Sequence, residues 1–222
     1  MLINCVAYDH GQRLTSITTD EISDYLERPD GFVWVALQDA TADEMAKMQE
    51  EFSLHELAVE DAHHGHQRPK IEEYGDSLFS VLHIVELAGD ELILGEIDIF
   101  VGRNYVLSVR SKAQQGFTSV RERCEREPRL LEQGPSFVLY ALMDAVVDRY
   151  FPVLDALETE LELIEEQIFG SSAALANIQR LYRLKQKVIV LKNAVLPLME
   201  VMGKLYGGRV PEVCVKTQDY FR

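Results

Sequence analysis

The sequence predicts an α/β protein: a layered domain of strands and short helices, followed by a long antiparallel helical hairpin. Three observations carry that reading. Up to about residue 133, short runs rich in Val, Ile, Leu and Phe alternate with helix-start signals. From Phe137 onward, apolar residues recur at spacings of three and four for about nine turns. A second stripe of the same kind follows Gly170-Ser171-Ser172.

In the first half, Leu2–Tyr8 and Phe32–Leu37 (FVWVAL) read as buried strands. Ser77–Leu87, Glu91–Val101 and Asn104–Arg110 are separated by Gly or polar breaks and read as consecutive antiparallel strands. Thr41 stands three residues before Glu44, and Ser53 three before Glu56. Each pair predicts a capping box, in which side chains satisfy the free amides of a helix's first turn. Interleaved strands and helices imply layers around a sheet.

The first helical stripe is Leu139, Leu142, Val146, Tyr150, Val153, Leu157, Leu161, Ile164 and Ile168. The second runs from Leu175 through Leu184, Leu191 and Leu198 to Leu205 and ends at Gly207-Gly208. A short turn between two such helices makes a hairpin. Pro152 and Pro197 fall inside the stripes and predict local kinks. Between Asp144 and Glu166 stand eight acids and one base, Arg149; between Leu175 and Met199 stand five bases and no acid. Two readings are open. The flanks attract each other, at about 0–1 kcal/mol per exposed pair, or the surplus carboxylates collect divalent cations.

Composition narrows the function classes. The chain carries 22 Lys+Arg against 37 Asp+Glu, a formal net charge of -15. Such a surface repels phosphate backbones and anionic headgroups, which argues against nucleic acid and against lipid-surface binding. It attracts cations. Cys5, Cys124 and Cys214 are odd in number and lack a CxxC pair, which argues against a disulfide framework or a thiolate zinc site and for a reducing cytosol. The N-terminus has no signal-peptide pattern. The longest apolar run, Phe137–Met143, is far short of the roughly 18 residues of a spanning helix. Phosphate-loop, GxGxxG and HExxH patterns are missing, and Gly134-Pro135-Ser136 fails the nucleophile-elbow pattern because Val138 stands where the second Gly belongs. No catalytic constellation emerges, so an enzyme is not expected. His63, His64 and His66 cluster with Glu60 and Asp61. They read either as a transition-metal site or as a polar helix end before Pro69. His83, in an apolar strand, reads as a packed core residue.

The stretch Leu57–Ser80 resembles the signature region of the CorA family of magnesium channels, through Glu60-Asp61, His66-Gln67-Arg68-Pro69-Lys70 and Tyr74. Tyr140–Phe151 (YALMDAVVDRYF) resembles the start of that family's first long cytosolic helix. Leu196–Glu200 through Tyr220-Phe221-Arg222 resembles the end of the second helix and the approach to a stalk helix. The three come in order and at the expected spacing.

The resemblance implies an α/β/α sandwich over residues 1–133, a long antiparallel helix pair over 134–208, and the start of a stalk helix over 209–222. It implies a homopentamer held in the inner (plasma) membrane by helices beyond Arg222, with the pore and its Gly-Met-Asn motif there and this segment on the cytoplasmic side. The ions implied are Mg2+ and Co2+. A zinc transporter of the same fold and a soluble hairpin scaffold are the alternatives. It further implies a regulatory Mg2+ site between neighbouring cytosolic domains, whose carboxylates match Glu60, Asp61 and Asp144, with a further acid expected just after Arg222. Asp148, one turn beyond Asp144, is a fourth candidate ligand. Magnesium keeps most of its waters, so two or three acids around a hydrated ion are chemically reasonable. Arg68 and Lys70 are expected to pair with nearby acids, and Pro69 to stiffen the entry to the next strand.

Overall fold

Strands that are apolar on both faces must be covered on both, and this requirement organises the chain. The computed structural model describes residues 1–65, 67–169, 174–207 and 210–222. β1 (Leu2–Asp9) and β2 (Gln12–Ser16) form a hairpin closed by His10-Gly11, both at positive φ. A short 3-10 turn leads into α1 (Ile22–Leu26) and then β3 (Gly31–Gln38). Two helices follow, α2 (Ala42–Phe52) and α3 (Glu56–His64). The strands β4 (Lys70–Tyr74), β5 (Ser77–Ala88), β6 (Glu91–Val101) and β7 (Tyr105–Ser111) come next. The rest is helical: α4 (Thr118–Arg126), α5 (Pro128–Leu131), α6 (Pro135–Asp148), α7 (Tyr150–Phe169) and α8 (Ala174–Met202).

The strands form one seven-stranded sheet in the order β2-β1-β3-β7-β6-β5-β4. β3 and β7 run parallel at its centre, and the other neighbours are antiparallel. Side chains alternate between two cores. Cys5, Ala7, Val33, Val35, Phe79, Phe100 and Leu107 face α1–α3. Val6, Tyr8, Trp34, Leu82, Ile97 and Ile99 face α4–α6 and the hairpin. This is the expected α/β/α sandwich, and each fully buried Leu or Ile in it contributes about 1.5–3 kcal/mol.

Five strands lie where the apolar runs place them. β2 and β4 do not show in those runs, because they are the sheet's edges and keep polar residues: β2 is exposed along its whole length, and β4 reads KIEEY. Charged edges also discourage pairing with a second sheet.

Two helix expectations need correction. Thr41 does cap α2 in a full capping box with Glu44. Ser53 caps nothing at an N-terminus. It ends α2 in the left-handed region at φ 51°, and His55 caps α3, its ring accepting from the Leu57 amide at 3.3 Å. The stripe from Phe137 to Phe169 is two helices, not one. Pro152 has no N–H for the Asp148 carbonyl, so α6 stops there and α7 restarts at Tyr150. α6 packs directly on β5, β6 and β7, which makes it part of the sandwich's second helical layer. α8 runs through Pro197 and gives way to a π-helical turn, Gly203–Gly207. In the segment expected to open a stalk lies a 3-10 helix, Glu212–Phe221, packed onto α6 with Cys214 and Phe221 buried. Thr217 Oγ1 donates to the Cys214 carbonyl and supports that tighter winding. The expected Gly170-Ser171-Ser172 turn and Gly208 lie outside the described residues.

The charge asymmetry of the hairpin is realised as cross-helix contacts. Lys187 Nζ donates to Glu160 Oε2 at 2.6 Å, and Arg180 donates to Gln167 Oε1 at 2.6 Å. Arg149, the lone base among the acids, turns away from them, donating to the carbonyls of Gly116 (2.6 Å) and Gln115 (3.2 Å).

Candidate functional site

α3 presents the first two candidate ligands because Ala58 faces the core and the polar residues cannot. Glu60 is exposed and makes no ion pair among the described residues. Asp61 turns toward β4, where Lys70 Nζ donates to its Oδ2 at 2.6 Å. The same ammonium lies 2.9 Å from Glu72 Oε2. Burial pulls the Lys70 pKa down, but the hydrogen bonds to Asp61 and Glu72 outweigh it, so the net direction is up. Tyr74 donates to Glu72 Oε2 at 2.9 Å and fixes that carboxylate from the other side. The expected pairing of Lys70 with nearby acids is therefore present. Arg68, at the head of the same turn, makes no ion pair among the described residues.

A carboxylate that sequence reasoning missed lies beneath this cluster. Asp98 on β6 is 1% exposed, and its Oδ1 has no hydrogen-bond partner. Burial pushes its pKa well above the usual carboxylate range, reinforced by Glu96 and Asp61 and opposed by Lys70. The available signal was periodicity: Glu96 and Asp98 are two apart in a strand whose neighbours are Ile97, Ile99 and Phe100.

Asp98 gives a signed pH prediction. Its folded pKa lies above its unfolded one, so the native state binds the extra proton, and stability falls as pH rises from the ordinary carboxylate value through the raised one. Asp98→Asn should remove that slope. The expected gain is about 1–3 kcal/mol above neutrality, the cost of a poorly satisfied buried polar group. It should shrink toward zero at acid pH, as read by urea denaturation across a pH series.

The third and fourth candidates sit elsewhere. Asp144 is on α6, and Arg123 of α4 donates to its Oδ2 at 2.9 Å. Asp148, one turn on, is exposed and makes no ion pair among the described residues. α3 covers one face of the sheet and α6 the other, so Glu60 and Asp61 do not meet Asp144 and Asp148 within one chain. Among the described residues no three His, Cys, Asp or Glu side chains are grouped to hold a metal. The donor type still fits magnesium, since every candidate is a hard carboxylate oxygen.

Among the described residues, His63 and His64 do not converge with a third metal ligand. The rings of His63 and His64 lie edge to face with centroids 6.0 Å apart, and His64 Nδ1 lies 2.9 Å from the Glu60 carbonyl. His66 lies outside the described residues. His83 is half-buried rather than packed in the core, with Nε2 2.7 Å from the Gln67 carbonyl. His63, His64, His83, Asp39, Glu96 and Lys112 line a cleft of about 210 Å³.

The fold is a sandwich-plus-hairpin domain with the candidate acids divided between its two helical layers. Residues 29–222 match the family model described as "CorA-like Mg2+ transporter protein". The chain belongs to the CorA family, a family of transporters. It is similar to the cobalt/magnesium transport protein CorA of Thermotoga maritima, 31% identical over 183 residues, which cover 81% of this chain and 52% of that protein. The chain thus spans about half the length of that relative. Its fold matches the soluble domain of CorA from Methanocaldococcus jannaschii at a TM-score of 0.73 and 16% identity, covering 100% of this chain and 86% of that one. It also matches full-length CmaX (TM-score 0.79, 18% identity, 99% and 68%) and the ZntB cytoplasmic domain of Vibrio parahaemolyticus (TM-score 0.72, 14% identity, 100% and 85%). Among the described residues no helix is long and apolar enough to cross a membrane.

Proposed function

We propose that this chain is the cytoplasmic, Mg2+-sensing part of a homopentameric CorA-type channel in the inner (plasma) membrane, which carries Mg2+ and Co2+. The observation that supports this most is the placement of Asp61 and Asp144. Both lie in the stretches that resemble the family, and they stand on opposite helical layers. Glu60 and Asp61 of one copy, with Asp144 and Asp148 of the next, would hold a regulatory Mg2+. When bound, the ion supplies the positive charge that cancels repulsion among these carboxylates. Two carboxylates about 4 Å apart near a surface repel by roughly 4 kcal/mol at an effective dielectric of about 20. Neighbouring copies that are not neutralised therefore favour separation. The response to cytosolic Mg2+ is a population shift, sized by the difference in affinity between the closed and splayed arrangements.

Limited proteolysis of the full-length protein tests this. Mg2+ should protect the wild type, and Asp61→Asn combined with Asp144→Asn should raise the protecting concentration at least tenfold. Unchanged protection would falsify the ligand assignment. A zinc reading gains nothing specific from the site, because His63 and His64 do not converge with a third ligand among the described residues.

A further inference from the structure

Two of the four carboxylates assigned to the regulatory ion, Asp61 and Asp144, already hold a cation of their own chain. Lys70 lies 2.6 Å from Asp61, and Arg123 lies 2.9 Å from Asp144. We infer that these internal cations, Lys70 above all, compete with the dication and so set the concentration at which the site fills. This inference rests on the proposed ion-sensing reading and names the residues that tune it.

Lys70 is placed to compete well. It sits on β4 opposite Val81 of β5, directly after Pro69, so its stem starts from a fixed backbone position. Its side chain and that of Asp61 are each only about a quarter exposed (27% and 25%), where screening by salt is weakened. The ammonium also lies 5.9 Å from the centre of the Phe79 ring. Exchange is nevertheless inexpensive. If Lys70 releases Asp61 it still has Glu72 at 2.9 Å, itself held by Tyr74. A dication therefore displaces one ion pair and does not strand a bare ammonium. Arg123 and Asp144 are more exposed (47% and 34%), and an exposed pair of that kind contributes little. Arg123 is the weaker competitor. Internal pairing also tempers carboxylate repulsion when the ion is scarce, so separation of neighbours is gradual.

The test is titration of the full-length protein with MgCl2 at constant ionic strength, followed by calorimetry and by protection from limited proteolysis. Circular dichroism verifies the fold of each variant. Lys70→Gln should lower the half-saturating Mg2+ concentration about tenfold, which corresponds to about 1.4 kcal/mol. Arg123→Gln should lower it by no more than about threefold, in line with the small worth of an exposed pair. Lys70→Arg keeps the charge and adds a forked donor set, so it should raise the half-saturating concentration, and it decides the matter if Lys70→Gln folds poorly. Lys47→Gln removes a surface cation paired with Asp20 and should change nothing. If Asp61→Asn weakens binding while Lys70→Gln leaves it equal or weaker, the competition is refuted and the ion-sensing reading stands. If no variant and no wild-type response involves Asp61, both fall together.

Discussion

Gly11→Ala is expected to cost roughly 3–5 kcal/mol, from left-handed strain plus overpacking, read as a lower urea midpoint with an unchanged slope. Gly11 closes the β1–β2 hairpin at φ 71°, next to His10 at φ 48°. Two successive positive φ values make the primed turn whose twist suits a two-residue hairpin. An alanine there meets strain first. It then meets α5: a Cβ would fall on the Pro128 carbonyl oxygen and within 2.8 Å of the Glu132 amide nitrogen. Both are backbone atoms, so no side chain can swing aside. Gly75 is the control. Its φ is 59°, but nothing lies within 4 Å of its would-be Cβ. Gly75→Ala should therefore cost only the strain, about 1–2 kcal/mol.

Arg149→Ala should cost about 3–5 kcal/mol, the usual range for breaking a buried ion pair from one side. The guanidinium stacks 4.0 Å above Phe117, donates to the carbonyls of Gln115 and Gly116, and lies 3.9 Å from Glu86 Oε1. Glu86 in turn accepts from the amides of Gln114 (2.7 Å) and Gln115 (3.0 Å). The ion pair thus ties the α6–α7 junction to β5, and the hydrogen bonds of both partners fasten the loop after β7 between them. Burial lowers the Arg149 pKa, with Glu86 opposing that shift. Removing Arg149 alone leaves Glu86 buried without its counter-charge. Arg149→Lys should recover less than half of the loss, because an ammonium cannot fork to two carbonyls and stack on a ring together. A double-mutant cycle with Glu86→Gln, measured by urea denaturation, isolates the pair.

The central strands and the long amphipathic helices were legible because burial writes itself as periodicity. β6 matches its run of residues, Glu91–Val101, end to end. Edges and breaks were harder. β2 buries nothing, so no apolar pattern marks it. Ser53-x-x-Glu56 has the letters of a capping box, but the left-handed turn after α2 shifts the true cap to His55. Pro152 signals a kink, and only the packing of α6 on the sheet turns that kink into a full stop. At the candidate site, the motifs single out Glu60, Asp61 and Asp144 as candidates. Their division between two layers depends on a sheet assembled from strands distant in sequence. Asp98 was hidden for the same reason: it becomes costly only when α3 and Lys70 close over it.

Because Asp61 and Asp144 lie across the sheet from each other, the molecule has a direction. On the proposed reading each copy offers Glu60 and Asp61 forward and Asp144 backward, so unlike surfaces meet at every join. Such joins propagate head to tail, and all are satisfied only when the series closes on itself. Ions and subunits then come in equal number. A subunit that lacks one of the two aspartates disables one join, and a subunit that lacks both disables two.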